Sequence, residues 1–438
     1  MILDARNADL ETIYDILTRQ RARRLDLVVG SGLISAHDAS IVIADTPATQ
    51  VVGEDGVTRS AGLYRPTPIA DEGLGMKLSI PPAYLKQLRV SRPDLYDANV
   101  NGMLQGLKDY GWPGPDGISP EPEEIYPPFG KNLLLRLLRG DDSEEGVLRA
   151  VLSPKYKVID NLDVLLAVMA GMQEAGVNAV PGTCDLSDRR MFARFDVPEV
   201  AALAPQLLAG YRSPFDGPGG AERAGQDQPG YRFRAERGSW SPEAALRAAH
   251  AEGQGYEPGT EPVVWAGLVV SNSDTGGGAR TIAPQIRVRV CKNGLTLLAE
   301  ADKRIHLGSA QEEGVIEWSA ETQEQELALI TAQTKDAVRT FLSPDWFGAQ
   351  VAAIEAKAGV VIREPEPVVR EVARAAGFTK AEAEGILQHF FRGGGGTAGM
   401  VANAVTSFSQ TLPSPERAAE MDARAVTVMN HAARIAVR

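Results

Sequence analysis

Arginines set two apart along strand-like runs are the residues of this chain best placed to do chemistry. In QIRVRVC (Gln285 to Cys291), alternation with period two sends Ile286, Val288 and Val290 to one face and Arg287 and Arg289 to the other. The run from Arg190 to Val197 repeats the pattern. Met191, Ala193, Phe195 and Val197 share one face, and Arg190, Phe192 and Arg194 share the opposite one. Guanidinium groups flanking a ring on an open strand face suit single-stranded nucleic acid, because cations track phosphates while the ring stacks on a base. Lys292, Lys303 and Arg304 extend this basic set, and Tyr231 to Arg234 (YRFR) is a further basic-aromatic alternation. The plainer alternative for each strand is a solvated sheet face with one partly covered aromatic.

Other chemistry has less behind it. Cys184 and Cys291 match no zinc spacing and no disulfide framework, so a buried packing role is expected for both. His37, His250, His306, His389 and His431 lie far apart without metal-ligand spacing. His306, beside Lys303 and Arg304, is a structural histidine or, alternatively, a phosphate or catalytic contact. No protease, kinase or hydrolase-elbow signature is present, and neither a cofactor nor a metal is expected. Gly276 to Gly278 serves a strand-to-strand turn or an anion nest. Gly393 to Gly396 precedes a helix without a Walker lysine, and is read as a helix-to-helix linker before a phosphate site.

A length of 438 residues suggests two or three packed units. The net charge of −12 argues against a protein coated in basic residues to grip duplex DNA. No apolar run approaches the ~20 residues that cross a bilayer, and the amino terminus carries acids where a secretory signal carries a basic patch. A cytoplasmic protein without membrane contact is expected.

The elements that must position the arginines are legible in outline. An amphipathic helix spans roughly Ala8 to Arg24, with Arg19, Arg21, Arg23 and Arg24 at its C-terminal end, where cations complement the helix dipole. Strands follow at Leu25 to Val29 and Ser40 to Ile43, and GEDG (Gly53 to Gly56) reads as a hairpin turn. Helices are expected at Pro81 to Leu88 and Asp94 to Tyr110, then a loop rich in proline, glycine and acid from Gly111 to Pro128. Asn132 to Arg139 reads as a strand or short helix and Leu148 to Leu152 as a strand. Asp160 or Asn161 caps a helix. Asn178 to Thr183 with Asp188 to Val197 reads as a hairpin. Tyr211 to Thr260 is an excursion with a short helix near Ser241 to Glu252, and a tight Lys-Asn-Gly turn follows Cys291. Beyond Glu312 the pattern is helical: Trp318 to Leu342, stopped by Ser343-Pro344, then Pro365 to Ala376, Thr379 to Phe391 and Ser414 to Val437.

Four segments carry a resemblance. LSPKYKVIDNLDVL (Leu152 to Leu165), GLVVSNSDTGGGARTIAPQIRVRVCKNG (Gly267 to Gly294), RIHLG (Arg304 to Gly308) and GMVANAVTSFSQ (Gly399 to Gln410) resemble, in order, the motifs of the phage/plasmid-like family catalogued as domain of unknown function 932. The likeness covers roughly Leu148 to Gln410. It departs at the Tyr211 to Thr260 insertion and at Lys292, where the family often has Ser or Thr. The resemblance implies a mobile-element protein. A more distant resemblance to single-strand annealing recombination proteins implies a homo-oligomer, with a ring as one arrangement, and a sheet that holds stripped DNA.

The expected fold is α+β: a twisted antiparallel sheet backed by helices, followed by an all-helical C-terminal region. Three segments are expected: residues 1–130, a β-rich core at 131–310 with the insertion at 211–260, and a helical region at 311–438. The leading functional expectation is single-stranded DNA binding and annealing through Arg190, Phe192, Arg194, Arg287, Arg289, Lys292, Lys303 and Arg304. The alternative is a structural or interaction protein assembling through its helical C-terminal third. An enzyme acting on a nucleotide or nucleic acid ranks third.

Overall fold

In a computed structural model, the structure describes residues 4–53, 56–109, 123–140, 145–207, 263–288, 291–296, 302–304, 314–315 and 320–437. The insertion at 211–260, Arg289, His306, most of the expected loop at 111–128 and the side chains of Lys292, Lys303 and Arg304 lie outside what is described.

The chain opens with β1 (Ala5–Ala8) and α1 (Leu10–Arg23), whose first turn is closed by the Asp9 carboxylate accepting from the Thr12 amide at 2.8 Å. Next come β2 (Arg24–Gly30), β3 (Ile34–His37), β4 (Ser40–Ile43), β5 (Gln50–Gly53), β6 (Gly56–Arg59) and β7 (Gly62–Pro66). Three helices follow: α2 (Pro68–Leu78), α3 (Pro82–Ser91) and α4 (Pro93–Gln105), each with proline in its first turn, where no amide is needed. After β8 (Leu107–Asp109) and β9 (Glu123–Tyr126) come β10 (Asn132–Leu138), β11 (Gly146–Leu152) and α5 (Asn161–Glu174). The remaining strands are β12 (Val180–Leu186), β13 (Met191–Leu203), β14 (Val263–Asn272), β15 (Arg280–Val288), β16 (Cys291–Thr296), β17 (Asp302–Arg304) and β18 (Gly314–Val315). The C-terminal third is helical: α6 (Ala320–Phe341), α7 (Pro344–Ala358), α8 (Pro365–Ala375), α9 (Lys380–Arg392), α10 (Ala398–Ser409) and α11 (Pro415–Ala436).

The α+β expectation holds. The first sheet runs β1-β12-β13-β14-β15-β16, antiparallel throughout, with β17 also on β15. A second sheet runs β18-β2-β10-β11-β7-β4-β3, with β7 and β11 its parallel pair. Its ladder joins β2 and β7, before residue 130, to β10 and β11, after it. The first core places Met191, Ala193, Phe195 and Val197 with Leu165 and Val168 of α5, Leu17 of α1 and the C-terminal helices. The second packs Leu27, Leu135 and Leu148 against α2, α3 and α4 through Leu74, Leu85 and Tyr96.

Two local readings need correction. Val288 pairs with Cys291, so Lys292 to Gly294 lies inside β16 and not at the turn. Ser343-Pro344 ends α6 but also starts α7, where the Ser343 hydroxyl accepts from the Trp346 amide at 3.3 Å. Cys184 is fully buried, and burial pushes its thiol up to about 11, as suits an inert packing residue.

Candidate functional site

The polar side of the first sheet is assembled by register. Phe192 stands opposite Ser271, which stands opposite Thr281; Arg194 opposes Val269, and Asp196 opposes Gly267, which opposes Gln285. Asp185 of β12 pairs with Phe192 on the same side. The strand alternation is as the sequence reads, since Arg190, Phe192 and Arg194 do face away from Phe195.

Among the described residues, that side is not an open basic track. Arg194 is 1% exposed and its Nη1 donates to Asp185 at 2.7 Å, while Arg287 is 5% exposed with its Nε 2.6 Å from Asp196. To reach Asp196 the Arg287 side chain crosses Gly267, where a Cβ would stand 2.8 Å from its Cγ. Phe192, 6% exposed, lies under the Arg190 guanidinium, 5.5 Å from ring centroid to Cζ, and offers no free platform for a base. The expectation of solvent-facing guanidiniums is therefore overturned at Arg194 and Arg287, and that of a stacking ring at Phe192. The physical reason is twofold: acids on neighbouring strands, Asp185 and Asp196, neutralise the arginines, and α11 lies over the face. β17 runs beside β15, with Lys303 opposite Thr281 and Arg304 opposite Arg280.

Between this face and α11 remains a cleft of about 440 Å³, lined by Arg190, Arg194, Ser271, Gln285, Glu416 and Asp422 among others. Arg190 sits on its wall, its Nη2 donating to the Ser271 hydroxyl and to the Ala279 carbonyl, both at 2.7 Å. Burial lowers its pKa, with Glu416 acting the other way. Asp185 is pushed up by burial, but Arg194 and Arg6 outweigh that and hold it below the ordinary carboxylate value. Asp422 has the reverse balance. It accepts from the Ser409 hydroxyl at 2.5 Å, and burial lifts its pKa to about 7 against the pull of Ser409, Arg194 and Arg287.

A second polar cluster joins the two sheets and takes in residues of two motif segments, Leu152 to Leu165 and Gly267 to Gly294. Asp274 accepts a two-pronged pair from Arg149 of β11 at 2.9 and 3.0 Å, and its carbonyl accepts from Arg136 of β10 at 2.8 Å. Arg136 and Arg24 both contact Asp160 at the start of α5. The Tyr156 hydroxyl donates to the Ser273 carbonyl at 3.0 Å, and the Asn272 amide to the Ile159 carbonyl at 3.0 Å and Asn161 at 2.9 Å. Burial pushes Asp274 up, yet Arg149 and Arg136 hold it at about 2. About 10 Å³ stays free beside this cluster, room for about one water, so it is a joint and not a ligand site.

The glycine runs also serve structure. A Cβ at Gly276 would stand 2.6 Å from Leu152 and one at Gly277 2.3 Å from Arg189, and the Gly277 amide is spent on the Ser273 hydroxyl at 2.6 Å. Gly394, Gly395 and Gly396 take positive φ to close α9 and lead into α10. Among the described residues no group of His, Cys, Asp and Glu could hold a metal ion, and no helix is long and apolar enough to cross a membrane.

Sequence reasoning missed Asp185, Asp196, Asp422, Arg136 and Arg149 as partners. The first two alternate in step with the arginines and were open to discovery once the hairpin register was drawn. The others meet their partners only through long-range packing. No protein-family model, no curated protein and no solved structure matches this chain.

Proposed function

We propose that this is an interaction protein that assembles with copies of itself through its helical C-terminal third, in the mobile-element setting its motifs resemble. The observation that carries this reading is an open groove of about 630 Å³ between the end of α7 and the final turns of α11. Val360, Ala433 and Val437 make it apolar, and Lys357, His431 and Arg434 rim it with nitrogen donors. Val437 at its edge is 76% exposed and free to be covered. Basic rim groups on a chain of net charge −12 complement the chain's own acidic surface. The start of α6 supplies such a surface, with Glu321 and Glu324 exposed one to two turns before the exposed Leu329. A groove on one copy meeting a helix on the next is a heterologous contact, which closes into a ring or runs on as a filament.

The annealing alternative needs guanidiniums free to meet phosphate, and two of its central arginines are already held by internal carboxylates. The test is a charge swap read by light scattering. Lys357→Glu with Arg434→Glu should reduce the assembly to monomers, and adding Glu321→Lys with Glu324→Lys should restore it. A wild-type monomer at all concentrations would overturn the assembly reading, and an assembly that forms only when a single-stranded oligonucleotide is added would return the annealing reading to first place.

A further inference from the structure

We propose that the cleft between the polar face of β13 to β15 and α11 binds a small carboxylate. Three features of the cleft converge on that class. It is large enough for a compact ligand, at about 440 Å³. Arg190 lies on its wall with neutral acceptors only, Ser271 and the Ala279 carbonyl, so one positive charge stands without a carboxylate at ion-pair distance among the described residues. Asp422 lines the same cleft at 1% exposure, and its Oδ2 has no hydrogen-bond partner. A guanidinium and a protonated carboxyl are two kinds of donor that carboxylate ligands take up.

The charge count selects among anions. Arg194 is paired with Asp185, which Arg6 also contacts, Arg287 with Asp196, and Arg189 with Glu72, so Arg190 is the cleft's cation without an ion pair among the described residues, and Glu416 acts on it only at longer range. Glu416 and Glu420 on α11 line the opposite wall, each already held, by Ser414 at 2.9 Å and Arg417 at 2.6 Å respectively. They repel a dianion or a polyphosphate strand more than a monoanion. This inference is independent of the proposed assembly, because the cleft and the apolar groove share no residue.

Proton coupling follows from what surrounds Asp422. Ser409 of α10, Arg194 of β13, Arg287 of β15 and Asp185 of β12 face it, and burial keeps its carboxyl largely protonated below about pH 7. A carboxylate should therefore bind well at pH 6 and about tenfold more weakly at pH 8, where Asp422 ionises. Asn at this position donates at every pH, so Asp422→Asn should bind equally at both. Arg190→Gln should lose binding at both.

The experiment is isothermal titration of the full chain with acetate, propionate and inorganic phosphate at pH 6 and pH 8, with circular dichroism to establish that each variant folds. Saturable binding of acetate or propionate, weakened at pH 8 in the wild type and pH-independent in Asp422→Asn, is the expected result. The proposal is overturned by no saturable binding of either carboxylate, by phosphate binding more tightly, or by a pH profile that Asp422→Asn leaves unaltered. Should Arg190→Gln fail to fold, the Asp422→Asn profile decides alone.

Discussion

At the scale of single residues, the polar face of the first sheet is organised by which buried charges find partners. Arg194 and Arg287 have acids within hydrogen-bond reach and remain charged without solvent. Asp422 has a hydroxyl and more distant guanidiniums, so burial prevails and its pKa rises from 3.8 to about 7. A carboxyl whose folded pKa lies above its unfolded one binds more protons when native. Its contribution to stability is therefore greatest at low pH and is lost as pH rises from about 4 to about 7. His389 acts oppositely: burial lowers it to about 4, so its contribution is lost as pH falls from 6.5 toward 4. Comparing variants isolates the first effect from the second. Between pH 5 and pH 8, Asp422→Asn should gain on the order of 2 kcal/mol or more relative to wild type. Chemical denaturation at the two pH values measures it, and a constant difference would show that Asp422 stays ionised when buried.

At the scale of elements, helices of the C-terminal third start on ordinary signals and meet through small residues. Thr379 and Glu382 form a reciprocal cap on α9, and Thr397 and Ser414 cap α10 and α11. Where α9 crosses α10, a Cβ at Gly385 would stand 2.1 Å from the Phe408 ring. Where α5 meets α6, a Cβ at Gly171 would stand 2.6 Å from the Thr331 carbonyl. Replacing a helical glycine by alanine ordinarily stabilises by about 1 kcal/mol. At Gly385 overpacking should outweigh that gain, and Gly385→Ala should destabilise by about 1–3 kcal/mol. Urea unfolding is the measurement, and adding Phe408→Leu should recover part of the loss. The helix missed between Pro344 and Ala358 has another cause: a Ser-Pro pair can close one helix and open the next, and here Ser343 caps the second.

At the scale of the whole molecule, two hydrophobic cores are joined by a small, buried ionic cluster. The turn after β14 reaches from the first sheet to β10 and β11 of the second, and Asp274 is the shared acceptor of Arg136 and Arg149. Removing it leaves the buried Arg149 without its acid and takes one of its acceptors from Arg136, which keeps Asp160. Asp274→Ala should cost about 3–5 kcal/mol, and the cost should fall on the coupling between the sheets. Fluorescence of Trp265 in the first sheet, with the other four tryptophans replaced by phenylalanine, and circular dichroism should unfold together when Asp274 is present. In the variant the two transitions should separate. Coincident transitions at unchanged stability would mean that the cores hold together without the cluster.

Local order in this protein was written in short-range patterns. Alternation assigned Met191, Ala193, Phe195 and Val197 to one buried face, and caps and prolines marked α1, α5, α9 and α11 near their observed ends. Two of the four motif segments share a place, because Tyr156 and Asn161 of one meet the turn carrying Asn272 and Asp274 of the other in one joint. Alternation cannot say what covers the opposite face. Period two depends only on the pleat of one strand, whereas cover comes from Asp185 and Asp196 on adjacent strands and from Asp422 on a helix near the C-terminus. Those partners are brought together by register and packing across long stretches of chain, so tertiary structure alone turned a face that reads as open and basic into a neutralised, covered one.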